Sequence, residues 1–175
     1  MKLELIQEKH ILPLVQIACD TRISDTSGVP ENCNEKDVTG WMNTSLTVPS
    51  AEMHFVLSID DRVCGCCILK KIDWDKREAE LSYWLGVDYW GKGLGTKAAR
   101  LMAENVFNIL GFKKLNAHYL EIANAPSGKI LQKIGFVKDE TRADLKAEGR
   151  FLLRENDVWT FVTLSRDTFG QDTFN

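Results

Sequence analysis

The apolar positions change period several times along the chain, and each change marks an element. Leu3 and Leu5 alternate with polar neighbours, and Ile11, Leu14, Val15 and Ala18 then recur at helical spacing. Residues 3–19 therefore predict a strand followed by a helix. Residues 20–37 are rich in Ser, Thr, Asn, Asp, Gly and Pro and predict a loop. Val38, Trp41 and Met42 predict a second helix. Residues 54–59 and 63–72 are β-rich runs around Asp60-Asp61-Arg62, the pattern of a hairpin with a tight acidic turn.

Residues 77–85 predict another strand. Ala98, Leu101, Met102, Val106, Ile109 and Leu110 place one apolar stripe on a helix over residues 95–110, and Gly111 closes it. A strand follows at 114–120, then a short helix over 127–134 ended by Gly135. Residues from Phe136 onward, 151–154 and 158–164 read as the final strands. The polar tail, 165–175, is expected to fray. Strands with interleaved helices, including one strand–helix–strand unit across 77–120, predict one α/β or α+β domain on a mixed sheet. The chain of 175 residues suits one domain, 1–175, and no linker-like stretch divides it.

Composition excludes more than it selects. A net charge of −3 makes no electrostatic case for nucleic acid. Of five cysteines, Cys64, Cys66 and Cys67 crowd one short segment, a poor disulfide framework that suits a reducing compartment. Cys66 and Cys67 point to opposite faces of a strand with no paired histidine nearby, so buried thiols are expected rather than a metal site. Residues 1–11 lack the apolar core of a signal peptide, and no apolar run approaches the length of a membrane span. The cytoplasm is the expected compartment.

The densest chemistry lies at the predicted strand-to-helix junction. Gly91, Gly93 and Gly95 alternate there, in the stretch Trp90-Gly91-Lys92-Gly93-Leu94-Gly95-Thr96. Missing Cβ atoms let a phosphate approach several backbone N–H groups at once. The following helix adds its positive N-terminal pole, Lys92 a charge and Thr96 a hydroxyl. The order Gly95-Thr96-Lys97 reverses the Walker pattern, and the Rossmann spacing is not met. On spacing alone a phosphate site and a flexible glycine turn both stand.

Three segments together carry a resemblance. They are Glu80-Leu81-Ser82-Tyr83-Trp84-Leu85, then Tyr89 to Thr96, then Asn124-Ala125-Pro126-Ser127 through Lys133-Ile134-Gly135-Phe136. They resemble the GNAT superfamily, whose cofactor loop is Q/R-x-x-G-x-G/A, and within it the RimJ/RimL-like branch, with its N-x-x-S-x-x-x-L-x-K-x-G-F mark. Trp41 falls where that branch carries an early tryptophan. Trp90 stands where many members have Gln or Arg. The resemblance implies a mostly antiparallel sheet that splays open after the strand ending near Leu85. It implies acetyl-CoA as co-substrate and no metal.

The same resemblance implies residue roles. The pyrophosphate lies on Trp90, Gly91, Lys92, Gly93, Leu94, Gly95 and Thr96. The pantetheine arm runs along Leu85, Gly86 and Val87, with Asn124, Ser127 and Lys129 as further contacts. Glu80 is the expected base, with Glu78 on the same strand face as a substitute. Ser127 is expected to hydrogen-bond the leaving sulfur, because Leu131 occupies the position where many members have a tyrosine. Ser127 is also placed to N-cap the helix after it, and Asn124 to serve as a turn residue. Lys97 and Arg100 either reach phosphates or face water.

Trp41 and Trp84 are candidates to line a substrate cleft, and His10, His54 and His118 carry no assigned role. The implied reaction moves acetyl from acetyl-CoA to a primary amine, either a protein N-terminus or a small molecule, in a monomer or homodimer with no nucleic acid or membrane partner. Two other functions remain open: a non-catalytic CoA-binding sensor of the same fold, and a nucleotide-binding protein holding ATP. The acceptor is expected among the loop 20–37, the helix near Trp41 and the strands after Phe136.

Overall fold

The computed structural model describes residues 1–142 and 155–170. Its strands are β1 (Lys2–Leu5), β2 (Met53–Ile59), β3 (Arg62–Asp73), β4 (Glu78–Leu85), β5 (Lys114–Leu120), β6 (Val137–Lys138) and β7 (Trp159–Ser165). They form one open sheet in the order β1-β2-β3-β4-β5-β7-β6. The helices are α1 (Ile11–Ala18), α2 (Thr21–Ser24), α3 (Glu35–Ser45), α4 (Leu94–Asn108) and α5 (Ala125–Lys133).

Local chemistry accounts for most of these elements. Asp60 and Asp61 both take positive φ, 48° and 59°, in a two-residue turn whose twist matches the β2–β3 hairpin. Asn34 and Asp37 cap α3 reciprocally, so that helix starts at Glu35, ahead of its first apolar residue. The expected loop at 20–37 is interrupted by α2, because the Asp20 carboxylate accepts the Arg22 N–H and starts a helical turn. The expected strand at 151–154 lies outside the described residues. The start of the tail is tied down rather than frayed: Phe169 donates its N–H to the Ser165 carbonyl and sets its ring 5.3 Å from Phe107.

Two cores sandwich the sheet. Leu57, Leu69, Leu81, Met102, Phe107 and Leu115 lie between the sheet and α4, while Leu14, Val38, Val56, Cys66 and Trp84 lie under α1 and α3. A bulge opposite Leu57 and Ser58 puts Cys64 on the same side as Cys67. These thiols are free and buried, and burial pushes Cys64 up to about 11, which leaves it a poor nucleophile.

The sheet is mixed at one seam. β4 and β5 pair in parallel over Glu78↔Lys114, Ala79↔Leu115 and Glu80↔Asn116, and every other pairing among the described residues is antiparallel. Beyond those three pairs β4 runs on to Leu85 and β5 to Leu120 without meeting, which is the expected splay. Gly65 of β3 sits opposite Leu85 at the end of β4. A Cβ there would run into the Trp84 carbonyl oxygen and lie 2.9 Å from the Leu85 Cα. Both obstacles are backbone, so Gly65→Ala must push β3 and β4 apart. The expected loss is about 2 kcal/mol of stability, measurable as a lower urea midpoint at unchanged m-value.

Candidate functional site

The splay leaves a slot through the sheet along the end of β4. Gly86 donates its N–H to Cys64 on the β3 side at 2.9 Å. By strand alternation Tyr83 and Leu85 turn their backbone groups the other way, into the slot. The Leu85 carbonyl accepts a 2.8 Å bond there from the Trp90 indole Nε1–H. Trp90, which stands in place of the usual Gln or Arg, thus pins the glycine loop to the end of β4. Two cavities open on the slot.

The first, about 520 Å³, is lined by the glycine loop, the end of β4 and the first turns of α5. Gly91 and Gly93 take φ of 71° and 73°, a region that strains any side chain. Gly93 is the N-cap of α4 and no side chain caps that helix. The first peptide N–H groups of α4 lie beyond the reach of its own carbonyls. They belong to Leu94, Gly95 and Thr96, which line the cavity with Trp90, Gly91 and Gly93. Leu85, Asn124, Ser127 and Lys129 complete the predicted residues found there.

Three predicted residues do not line it. Gly86 is buried, with Ile17 2.7 Å from where its Cβ would be; Val87 packs on the α1–α3 core; Lys92 is exposed. Of the two cations in α4, Lys97 is exposed and Arg100 bonds the Lys133 carbonyl at 3.4 Å.

The second cavity, about 400 Å³, holds Glu80, which is 5% exposed. Register places Glu80 beside Asn116 and puts His118 on the same face one residue pair further. The Glu80 carboxylate stands 3.5 Å from His118 Nδ1 and 3.6 Å from Lys71 Nζ. Burial alone would raise this carboxyl. The hydrogen bond and charge of His118, with Lys71 and Arg142, outweigh burial and hold it below its ordinary value of 4.5. Glu52 also lines this cavity, and its bond to His54 Nε2 at 2.7 Å lowers it too. Trp159, Ser27 and Gly28 also line it. Trp41 lines neither cavity, because it stacks on His54 at 5.3 Å and meets Trp84 edge-on; Trp84 lines the first.

The two cavities share the residues Thr26, Ser27, Tyr83, Asn124 and Ser127. Asn124 Nδ2 donates across the slot to the Thr26 carbonyl at 3.1 Å, joining the two halves of the sheet's cover. Asn124, not Ser127, is the N-cap residue of α5; Ser127 lies inside the helix and its hydroxyl meets the Tyr83 phenol at 3.0 Å. Burial pushes the Tyr83 phenol far above its ordinary range, with only partial relief from Ser127, so it stays protonated.

A glycine loop at a helix start, beside a mixed sheet that splits after β4 and β5 part, is the fold that the sequence resemblance implied. A profile for the acetyltransferase (GNAT) domain matches residues 1–137. The chain belongs to the GNAT acetyltransferase family. It is 32% identical over 164 residues to an N-acetyltransferase of Bacillus licheniformis called p20, covering 93% of this chain and 85% of that protein. It is 30% identical to the putative ribosomal N-acetyltransferase YdaF of Bacillus subtilis, over 66% of this chain and 61% of YdaF. A spermidine N(1)-acetyltransferase of Escherichia coli is 32% identical over 58% of this chain and 54% of its own length. The fold is shared with a spermidine N-acetyltransferase from Vibrio cholerae, solved with CoA and spermine, at a TM-score of 0.77 and 16% identity over 95% and 96% of the two chains.

The acetyltransferase places several site residues that its sequence did not single out. Tyr83 sits in the quoted β4 motif but reads there as one more inward residue beside Leu81 and Leu85. His118 is a lone histidine until register sets β5 beside β4. Lys71 enters from the irregularity of β3 between Lys70 and Asp73, and Glu52 from the residue just before β2. Among the described residues no cluster of three His, Cys, Asp or Glu side chains could hold a metal, and no helix is long and apolar enough to cross a membrane.

The depressed Glu80 carboxyl sets a stability test. A carboxyl whose folded value lies below its unfolded one stabilises the fold above the unfolded value and ceases to do so as pH falls through the folded value. The wild-type stability should therefore drop more steeply below about pH 4.5 than that of Glu80→Gln, read as urea midpoints across an acid pH series.

Proposed function

We propose that the acetyltransferase moves the acetyl group of acetyl-CoA to a primary amine by direct attack, with the donor in the first cavity and the acceptor in the second. The observation that carries this is the wall the two cavities share, at the gap where β4 and β5 part. The first cavity suits the donor chemically. Unpaired helix-start N–H groups in the glycine loop match a pyrophosphate, and the open backbone edge at Tyr83 and Leu85 matches the amides of a pantetheine arm. Lys129 adds a positive charge on the α5 side. Lys92, Gly86 and Val87 act from behind this surface, by shaping the loop.

A thioester is attacked only by a neutral amine, so the acceptor ammonium must lose a proton. Glu80 and His118 form the pair that receives it. A carboxylate held below its ordinary value is a weak base, but it attracts the ammonium and orients the imidazole beside it. Glu80 is therefore the charge in the pair, and His118 the group that takes the proton. The backbone N–H groups in the slot supply donors for the carbonyl oxygen as charge develops there. Relatives named as a spermidine N(1)-acetyltransferase and a putative ribosomal N-acetyltransferase support testing both small amines and protein N-termini as acceptors.

Free-thiol release from acetyl-CoA with a panel of polyamines, amino acids and N-terminal peptides tests the activity. Turnover is expected. CoA binding without turnover would point to a sensor of the same fold, and ATP binding without CoA binding would refute the donor site. Gly93→Val, at φ 73°, should raise the KM for acetyl-CoA at least 10-fold (about 1.4 kcal/mol) with a smaller change in the acceptor KM. Unaltered cofactor affinity would remove the loop from the site. Glu80→Gln should lower the rate most near neutral pH and progressively less toward high pH, where the amine is already neutral. A pH profile parallel to the wild type would remove Glu80 from proton transfer.

A further inference from the structure

In any attack on a thioester the carbon–sulfur bond breaks and its electron pair stays on sulfur. Where the sequence resemblance puts a tyrosine in many members this chain has Leu131, which is 1% exposed and has no proton to offer. A different element supplies one. The chain has three tyrosines. Tyr89 lines the first cavity only, and Tyr119 the second only, with its ring packed under Gly128. Tyr83 lines both, and its phenol oxygen lies 3.0 Å from the Ser127 hydroxyl, which also lines both.

We infer that Tyr83 of β4, held by Ser127, is the hydroxyl that hydrogen-bonds the departing CoA sulfur. This rests on the donor and acceptor assignment proposed above. The two hydroxyls divide the work by chemistry. Ser127 donates its O–H to the phenol oxygen, which leaves the single phenolic O–H free to point at sulfur. Tyr83 remains a donor throughout the working pH range because burial keeps its proton on. A thiol ionises near 8.5, well below such a phenol, so the proton does not pass to sulfur. The step balances without that transfer: the ammonium's proton passes through the Glu80–His118 pair to solvent, nitrogen then bonds the carbonyl carbon and releases its second proton to the same pair, and sulfur leaves as a thiolate that is protonated by solvent after release. What Tyr83 contributes is a fixed dipole where charge develops, worth roughly 100-fold in rate for a donor of this kind.

Tyr83→Phe keeps the ring and its packing and removes only the hydroxyl. It should lower kcat about 100-fold with little change in the KM for acetyl-CoA. A structural role would do the same, so two further measurements separate them. Across acetyl thioesters of thiols with decreasing pKa, the deficit of Tyr83→Phe should shrink, because a better leaving group needs less help. In the complex with CoA, titrated by the ultraviolet absorbance of the thiolate, the bound thiol should ionise at lower pH in the wild type than in Tyr83→Phe. A constant deficit across the series, or identical thiol titrations, overturns the assignment while leaving acetyl transfer intact. Wild-type protein that shifts the bound thiol yet turns over no amine would overturn the transfer reaction and keep Tyr83 at the sulfur.

Discussion

Between β4 and β5 the sheet is stitched by three residue pairs, and everything distinctive about the molecule follows from where that stitching stops. A parallel pairing requires a crossover, and here the crossover is the glycine loop and α4. The helix start therefore arrives at the same end of the sheet as the gap. The divergence also exposes two faces of the sheet to each other. Glu80 and His118 belong to the face under α1 and α3, while Tyr83 and Ser127 belong to the face under α5, and only the slot lets them border common space.

The slot also holds two titratable groups that burial acts on in the same sense and that end in opposite states. Burial favours the neutral form of both a carboxyl and a phenol. At Glu80 the neighbouring His118 and Lys71 reverse that preference and leave a charge in place. At Tyr83 the partner is a neutral serine, and the preference stands. One wall of the site is thus a fixed negative charge and the other a fixed hydrogen-bond donor, which is the polarity that an incoming ammonium and an outgoing thiolate require.

Much of this was legible in the sequence where the signal is local. The acidic hairpin turn, the stripe of α4 and the strands flanking it all depend on residues close in the chain, and the glycine loop could be placed at a strand-to-helix junction from spacing alone. Three predicted residues lie off the cavity wall for a reason that spacing does not encode: the chain between β4 and α4 turns some residues outward, as with Lys92, or into the opposite core, as with Gly86 and Val87. His118 and the bridge from Asn124 to Thr26 were illegible for another reason. They join residues that are 38 and 98 positions apart in the chain, through a register that no single strand specifies. Ser127 stood in the sequence as a contact of the leaving sulfur or a helix cap, and its hydroxyl meets a tyrosine on another element.

The unpaired edge of β4 also has a signature in time. Gly86 and the even-numbered residues before it bond back to β3, whereas Tyr83 and Leu85 face the slot. Their amide hydrogens should thus alternate between slow and fast exchange with solvent along a single strand. Strands inside a sheet are protected from both sides, and edge strands expose a row along their whole length. β4 is interior at its start and an edge at its end, and the point at which exchange begins to alternate marks, residue by residue, where structural duty gives way to an open surface.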